Sequence, residues 1–272
     1  MKVKAFAKLN LNLHVFPQIL KSGKHKLQLL NCQIDLHDIL EIKKDKKMPL
    51  DKDNLIYKAS ELLGVGSKVK LKKNIPMLGG LGGGSSDAGV TLKVLNKIYK
   101  LKLSEKKLIK IANKIGSDVP YCLVGGLAQV SGDGNKIKKI NYKLPKLFLI
   151  IIYPKAVKPS TGYMYQKLDN KKIGKNLDKL KKIKLAIKNN PPVGGKTEII
   201  KNLFNDFEEL ALEKFRELKV IKNDLKKNGA SNSMLLGSGL GMAGFFENKR
   251  NRDQAFNELS KKYGNIFKTD TL

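Results

Sequence analysis

The sequence predicts an α+β fold with two domains. Segments with the two-residue period of strands and segments with helical spacing are mixed along the chain, without the regular alternation of a parallel β–α–β fold. The pattern changes at Pro154, after which helical spacing is more frequent. A chain of 272 residues, 41% of them hydrophobic, can also bury a substantial core in one large or two ordinary domains, and we favour two.

Apolar periodicity and helix-capping signals place the elements in chain order. Early in the chain we expect one or two strands at 3–16, strands at 27–36 and 38–44 around a polar turn, a helix capped by Asp53-Asn54 and running to about residue 63, and a strand at 69–73. Next come helices at 87–99 and 104–115, with Ser104 as N-cap of the second, and strands at 125–131 and 147–153. After Pro154 we expect helices at 161–168, 178–188, 205–215, 220–227 and 252–261, a loop at 189–196, and strands at 233–236 and 242–246.

A glycine-rich stretch at residues 74–92, NIPMLGGLGGGSSDAGVTL, is the strongest functional signal in the sequence. Glycines lack a Cβ atom, so their backbone can approach a ligand closely and turn its N–H groups inward. Helical spacing follows at once, and Ser85, Ser86 or Asp87 is in position to cap that helix. Because a helix N-terminus favours anions, the stretch predicts a phosphate site rather than a flexible linker.

Two familiar nucleotide-binding motifs are excluded. A Walker loop ends in Gly-Lys-Ser/Thr, and no lysine lies between Lys73 and Lys93. A G-x-G-x-x-G pattern does occur from Gly239 to Gly244, but the following Phe245-Phe246 predicts a strand where the dinucleotide fingerprint requires a helix. We interpret this second pattern as a chance match.

The net charge of +30 invites a nucleic-acid function, because basic surfaces neutralise phosphates. Two observations argue against it. Nearly all of the 54 basic residues are lysines, which are spread along the chain, and arginine occurs only as Arg216, Arg250 and Arg252. Arginine is the residue preferred for bidentate recognition of bases and phosphates. We therefore expect no specific nucleic-acid partner, although the charge favours anionic substrates.

The cysteines and the apolar segments bear on location. Cys32 and Cys122 lie in apolar surroundings, which is typical of buried thiols in a reducing cytoplasm rather than of a disulfide framework or a metal site. No uninterrupted apolar run is long enough to span a bilayer, and the N-terminal residues lack the pattern of a signal peptide. We expect a soluble, cytoplasmic protein without a membrane partner.

Four segments carry small or polar residues that a plain scaffold would not need: AKLN at 7–10, the glycine-rich stretch, GSDVP at 116–120 and LGSGLG at 236–241. In this order and spacing they resemble the GHMP small-molecule kinases over nearly the whole chain. AKLNLNLHV, SGKHKLQLL and GSDVPYCLVGG are similar to the subfamily that phosphorylates a cytidine-diphosphate-linked methylerythritol in the non-mevalonate isoprenoid pathway. The resemblance implies a two-domain GHMP kinase fold, with a mixed α/β N-terminal domain at 1–146 and a ferredoxin-like C-terminal domain at 147–272.

The resemblance also implies an ATP-dependent kinase and assigns the donor site. ATP would lie in a cradle formed by Pro76, Gly79, Gly80, Leu81, Gly82, Gly83, Gly84, Ser85 and Ser86. Asn54 would border the adenine pocket as well as cap a helix. Mg²⁺ would take oxygens mainly from the phosphates and water, with one from Ser85 or Ser86, and we favour Ser85.

The catalytic pair implied by the resemblance is Lys8 and Asp118. Asp118 would accept the proton of the acceptor hydroxyl or orient that hydroxyl, and the sequence leaves these alternatives open. Lys8 would compensate negative charge beside it. Phosphoryl transfer depends on this kind of charge neutralisation and alignment more than on covalent chemistry.

The acceptor site implied by the resemblance comprises Asn10, His25, Tyr165, Gly237 and Ser238. Asn10 would bind substrate or tie a strand to a loop, and His25 would contact the cytosine. Tyr163 and Tyr165 both fall in the segment that supplies an aromatic ring beside the base, with core packing as the competing interpretation. Gly237-Ser238-Gly239 is expected to pack against the glycine loop and close over the phosphates.

Two positions depart from the family pattern. Lys24 stands where an aromatic residue stacks on cytosine, and Ala243 stands where an aromatic residue is usual. Lys24 would meet a diphosphate or indicate another acceptor, such as homoserine or mevalonate. The sequence therefore predicts kinase chemistry more firmly than it predicts the acceptor, and it leaves monomer and homodimer as alternatives.

Overall fold

The computed structural model describes residues 1–48, 53–77, 79–155, 160–189 and 195–272. Its strands are β1 (Lys2–Ile19), β2 (His25–Lys44), β3 (Ser67–Lys72), β4 (Ala128–Gly132), β5 (Lys136–Lys139), β6 (Phe148–Ile152), β7 (Phe204–Asn205), β8 (Asn232–Leu235), β9 (Met242–Phe246) and β10 (Ile266–Asp270). Its helices are α1 (Leu55–Leu63), α2 (Gly83–Ile98), α3 (Glu105–Ile115), α4 (Val119–Val124), α5 (Thr161–Gln166), α6 (Leu177–Asn189), α7 (Gly195–Lys201), α8 (Glu208–Lys214), α9 (Arg216–Lys227) and α10 (Lys249–Leu259).

The first sheet is built around the long antiparallel hairpin of β1 and β2. β2 is long enough to hold two partners on its other edge, β4 along its first half and β3 along its second half. β5 extends the sheet beyond β4, and the short β7 pairs in parallel with β1. Because β7 lies far along the chain, the later part of the sequence completes the sheet of the earlier part.

The second sheet is antiparallel, with the strand order β10–β6–β9–β8. Helices α5 to α9 separate β6 from β8, and α10 separates β9 from β10. This order and these crossovers are those of a ferredoxin-like domain, which confirms the predicted class. The boundary after residue 146 stays a prediction.

A shared apolar core joins the two sheets. One buried cluster combines Leu9 and Leu30 of the first sheet with Leu149 and Ile151 of the second, and helices α6 and α7 pack into it. The core fixes the position of one sheet against the other and so aligns the loops that meet between them. None of the helices in the described ranges has the length and apolar character needed to cross a membrane.

The predicted pair of strands at 27–36 and 38–44 was wrong, because one continuous strand occupies both. The pairing with β1 shifts from Phe6 opposite His37 to Lys8 opposite Gln33. The extra residues of β2 are therefore absorbed in a bulge, which keeps a strand continuous where the polar residues indicated a turn.

The predicted start of the helix after the glycines was also wrong. α2 begins at Gly83 rather than near Asp87, and the N-cap position belongs to Gly82, whose φ is +65°. The N–H of Ser86 already donates to the carbonyl of Gly82, so Ser85, Ser86 and Asp87 lie inside the helix and do not cap it. Glycine is a poor helix former, and only packing against the rest of the fold reveals this start.

Other elements agree with their local signals. Asn54 caps α1 by accepting from the N–H of Ile56, Ser104 caps α3, and β9 begins and ends as predicted. β9 begins at Met242, inside the Gly239–Gly244 pattern, where the dinucleotide fingerprint requires a turn into a helix, and this supports the interpretation of the pattern as a chance match. Local sequence signals did not predict α4, α7, β5, β7 and β10. Of the predicted loop at 189–196, residues 190–194 lie outside the described residues.

Candidate active site

A cavity of about 820 Å³ lies where the glycine loop, the two sheets and the hairpin turn between β1 and β2 meet. Most of the residues predicted from sequence line it: Lys8, His25, Asn54, Pro76, Gly79, Gly80, Gly82, Gly83, Gly84, Ser85, Asp118, Tyr165, Gly237 and Ser238. The structure thus brings the predicted donor, catalytic and acceptor residues to one place. Asn10, Leu81 and Ser86 are predicted site residues that do not line the cavity.

These three residues fasten the glycine loop and Lys8 to the scaffold. The Leu81 carbonyl accepts from the Lys8 N–H at 2.9 Å, and the Ser86 hydroxyl donates to the carbonyl of Phe6 at 2.7 Å. Asn10 accepts from Lys8 Nζ at 3.4 Å and donates to Asn31 at 2.7 Å. The side chain of Asn10 therefore positions Lys8 from beneath the cavity wall.

The glycine loop adopts backbone conformations that require glycine. The φ angles of Gly79, Gly80 and Gly82 are +89°, +90° and +65°. A Cβ on Gly82 would lie 3.0 Å from Cγ of Lys8, so the loop rests directly on the lysine stem. The first N–H groups of α2 precede the first internal hydrogen bond of the helix and border the cavity, and the helix dipole makes this end attractive to anions.

The loop at 236–241 packs against the glycine loop, as the sequence predicted. A Cβ on Gly80 would lie 2.4 Å from the Leu236 carbonyl oxygen, and a Cβ on Gly239 would lie 3.0 Å from the backbone of Gly79. Two backbones are therefore in direct contact. Tyr153, just beyond β6, strengthens this junction because its hydroxyl donates to the Gly79 carbonyl at 2.9 Å.

Lys8 and Asp118 form an ion pair with an Nζ–Oδ1 distance of 3.1 Å. The Lys8 side chain is 7% exposed, whereas that of Asp118 is 41% exposed and faces the cavity. Asp118 occupies the N-cap position of α4 but makes no side-chain capping bond. Its carboxylate therefore pairs with Lys8 and faces the cavity, and it does not cap the helix.

The end of the cavity beside α1 is apolar. Leu55, Leu71, Pro76 and Met77 line it together with the capping residue Asn54. The first turn of α1 and the last residues of β3 bound this end of the cavity. An apolar space between two such walls suits a flat heterocycle.

The opposite end of the cavity carries aromatic rings. The rings of His25 and Tyr165 face each other with centroids 5.8 Å apart and an interplanar angle of 26°, and Tyr165 meets Phe207 edge-on at 4.9 Å. His25 Nδ1 lies 2.8 Å from the Phe16 carbonyl, which can only accept, so Nδ1 carries a proton and Nε2 is left as an acceptor in the neutral ring. Burial raises the pKa of Tyr165. Tyr163 is 37% exposed and does not line the cavity.

A buried charge cluster beside the glycine loop was not predicted from the sequence. Lys73, just after β3, lies 2.5 Å from Asp38 and 2.9 Å from Asp87, and both Lys73 and Asp87 line the cavity. Burial acts to lower the pKa of Lys73, but the bonds to the two carboxylates outweigh it and raise that pKa. Burial raises the pKa of Asp87 to about 6 despite Lys73. The position of Lys73 directly before the glycine stretch was the available signal.

The structure also places five further residues. Lys24 and Ser117 line the aromatic end, where the lysine Nζ donates to the serine hydroxyl at 3.1 Å. Ala243 is fully buried in β9 and does not line the cavity, so its departure from the family pattern falls in the core. Cys32 and Cys122 are free and buried, as predicted, and burial raises the pKa of both thiols.

Comparison with known proteins agrees with this geometry. The N-terminal domain of GHMP kinases matches residues 54–126, and the C-terminal domain of GHMP kinases matches residues 174–265. A protein of Clostridium tetani named 4-diphosphocytidyl-2-C-methyl-D-erythritol kinase is 35% identical over the full length of both chains. One of the same name from Caldicellulosiruptor bescii is 36% identical, over 100% of this chain and 98% of its own.

Solved structures give the same result. A crystal structure of 4-(cytidine 5'-diphospho)-2C-methyl-D-erythritol kinase superposes with a TM-score of 0.82 and 27% identity, over 100% of this chain and 99% of the other. The mevalonate kinase of Methanococcus jannaschii, at 18% identity and a TM-score of 0.68 over 100% and 98%, shares the fold. The chain therefore belongs to the GHMP kinases, within the family of the 4-diphosphocytidyl-2-C-methyl-D-erythritol kinases.

Proposed function

We propose that this protein transfers the γ-phosphoryl group of ATP to the 2-hydroxyl of 4-diphosphocytidyl-2-C-methyl-D-erythritol. The observation that carries the proposal is the Lys8–Asp118 ion pair, which lies in one cavity with an anion cradle and a pair of facing rings. The names of the full-length relatives supply the acceptor. The proposal places the enzyme in the cytoplasm as a monomer or homodimer, with no specific nucleic-acid partner.

The glycine loop and the start of α2 bind the triphosphate of ATP. Backbone N–H groups of Gly83, Gly84 and Ser85 are not used within the helix and border the cavity, so they are available to phosphate oxygens. Pro76, Gly79, Gly80 and Gly82 complete the cradle. Leu81 and Ser86 support the cradle from outside the cavity, because their polar groups form hydrogen bonds that hold the loop on β1. The adenine lies at the apolar end beside Asn54.

The residues present fit a magnesium ion that is held mainly by the nucleotide. Mg²⁺ prefers oxygen ligands and keeps several waters, so one or two protein oxygens suffice. Ser85 lines the cavity, and Asp87 Oδ1 is buried without a hydrogen-bond partner. No cluster of three histidine, cysteine or acidic residues able to hold a metal occurs among the described residues. When bound, the ion supplies charge neutralisation between the phosphates, and Ser85 would hold it.

Asp118 and Lys8 act on the transfer itself. The acceptor hydroxyl oxygen forms a bond to the γ-phosphorus as the bond to the β-phosphate oxygen breaks and ADP leaves. Asp118 orients the hydroxyl and receives its proton as that bond forms. Lys8, held by Asn10, keeps the carboxylate in place and offsets the charge on the transferring group.

The acceptor base lies at the aromatic end. Tyr165 offers its ring face, and the free Nε2 of His25 can accept from an exocyclic amine such as that of cytosine. Gly237 and Ser238 border the cavity directly beside the glycine loop, close to the phosphates and the transferred group.

A panel of acceptors tests the proposal. Purified protein with Mg-ATP is incubated separately with 4-diphosphocytidyl-2-C-methyl-D-erythritol, homoserine and mevalonate, and products are identified by ³¹P NMR and mass spectrometry. We expect a new phosphomonoester on the first compound alone. Phosphorylation of homoserine or mevalonate in its place would overturn the acceptor, and no transfer to any of the three would overturn the activity.

A further inference from the structure

Three lysines line the cavity in the described part of the chain, and their charges are balanced differently. Lys8 pairs with Asp118, and Lys73 pairs with two carboxylates. The partner of Lys24 is the neutral hydroxyl of Ser117 at 3.1 Å, and no described carboxylate pairs with it. Lys24 therefore brings an uncompensated positive charge to the cavity wall, which is a binding element for an anion.

Lys24 is exposed, and both its backbone and its ammonium have a hydrogen-bond partner. It closes the hairpin turn, where its carbonyl accepts from the N–H of Leu20, and it directly precedes His25 of the aromatic end. Its ammonium bonds to Ser117, which directly precedes Asp118. The charge is therefore placed between the ring pair and the catalytic carboxylate.

We propose that Lys24 binds the diphosphate of the acceptor and thereby selects acceptors that carry one. This inference rests on the proposed function. In such an acceptor the diphosphate lies between the nucleoside and the reacting polyol. With the base at His25 and Tyr165 and the hydroxyl at Asp118, the diphosphate has to pass the ammonium of Lys24.

The surroundings favour the diphosphate over the base as the partner of Lys24. The ammonium points to Ser117 and makes no cation–π contact with a described ring, whereas Lys26 lies over Phe16 in such a contact. Asp133 also lines this end of the cavity, with its Oδ1 lacking a hydrogen-bond partner. The carboxylate of Asp133 would repel a diphosphate and would instead accept hydrogen bonds from hydroxyl groups. Lys24 is therefore the residue at this end that can bind the anion.

Competition by cytidine and by CDP separates the two parts of the acceptor. Inhibition constants against the acceptor are measured at saturating ATP for the unaltered protein, Lys24→Met and Lys24→Arg. We expect Lys24→Met to weaken the binding of CDP on the order of tenfold, because a hydrogen bond to a charged group is lost. The inhibition constant of cytidine should stay within about twofold. Lys24→Arg, which keeps the charge, should restore most of the CDP affinity.

The matched control is Lys21→Met, which removes an exposed lysine of the same turn that does not line the cavity. It should leave both inhibition constants unchanged, and thermal unfolding of each variant verifies folding. An equal loss of affinity for cytidine and for CDP in Lys24→Met would show that Lys24 contacts the base. An unchanged inhibition constant for CDP would show that Lys24 does not take part in binding. Either result overturns the inference. Failure of the unaltered protein to bind CDP or cytidine would instead count against the proposed function.

Discussion

Nζ of Lys8 lies 3.1 Å from Oδ1 of Asp118, so an ion pair joins the first strand of the chain to the start of α4. The lysine is buried and fixed by Asn10 and Gly82, whereas the carboxylate is open to the cavity. A buried cation that holds a partly exposed carboxylate presents that carboxylate to a ligand. This relationship links the fold to the proposed chemistry.

Replacing Lys8 by methionine keeps the length of the side chain and removes its charge. We expect kcat to fall about 100-fold or more, since Asp118 loses its partner and the transferring group loses charge compensation. Steady-state kinetics with the acceptor measure the effect. Lys4→Met, an exposed position on the same strand, is the control and should retain full kcat. Equal rates in the two variants would show that the Lys8 charge has no catalytic role.

Gly80→Ala tests the close packing of the glycine loop against 236–241. Its φ of +90° strains any side chain, and the added Cβ would lie 2.4 Å from the Leu236 carbonyl oxygen. Gly229→Ala carries the same strain at φ +88° in open space and should lose about 1–2 kcal/mol of unfolding free energy, whereas Gly80→Ala should lose more because its Cβ also meets a backbone oxygen. Only Gly80→Ala should raise KM for ATP, by about tenfold or more. An unchanged KM would mean that this packing does not shape the donor site.

Tyr153→Phe removes the hydrogen bond from the second sheet to the Gly79 carbonyl. We expect KM for ATP to rise up to about fivefold, the equivalent of about 1 kcal/mol, because the loop loses an anchor. Tyr99→Phe is matched to it, since Tyr99 also donates to backbone carbonyls but at Asp45 and Gly66. That variant should lose stability without a change in KM. If both variants leave KM unaltered, the Tyr153 bond serves stability alone.

The raised pKa of Asp87 predicts a specific pH dependence of stability. The carboxyl has an ordinary pKa of 3.8 and one of about 6 in the folded protein, so between these values the folded state binds more protons than the unfolded state. Stability from this group is therefore present at low pH and lost as pH rises through about 6. Compared with Asp87→Asn, the unaltered protein should lose about 2 kcal/mol of unfolding free energy between pH 4.5 and pH 7. Urea unfolding at both pH values measures this, and a pH-independent difference would contradict it.

Local sequence signals predicted much of the fold. Asn54 and Ser104 are capping residues whose side-chain oxygens bond to the next turn, and β9 is an apolar run bounded by glycine and a charged residue. Such signals involve neighbours in the chain and can be read from sequence. The start of α2 within glycines and the bulge that keeps β2 continuous depend on pairing and packing with distant residues. No local signal encodes them.

The candidate site likewise contains residues that could be predicted from the sequence and residues that could not. Residues in the four motifs were predicted because the resemblance identified them, and the structure places most of them around one cavity. The Lys73–Asp38–Asp87 cluster was missed because its members lie in three separate segments, and only the fold brings Asp38 and Lys73 to Asp87 of the glycine-rich stretch. The resemblance favoured Tyr165 over Tyr163 for the acceptor site but left core packing as an alternative, and the structure shows that Tyr165 lines the cavity whereas Tyr163 does not.

The turnover of Asp118→Asn, measured together with its affinity for ATP, is the most direct test of the proposed role of Asp118 in phosphoryl transfer. Asparagine keeps the shape of the side chain but loses both the charge that pairs with Lys8 and the capacity to take a proton. We expect kcat for transfer to the cytidine-diphosphate acceptor to fall about 100- to 10,000-fold, while ATP affinity stays within about twofold. Unchanged kcat would contradict the assignment of Asp118 to the reaction and, with it, the mechanism proposed for this cavity.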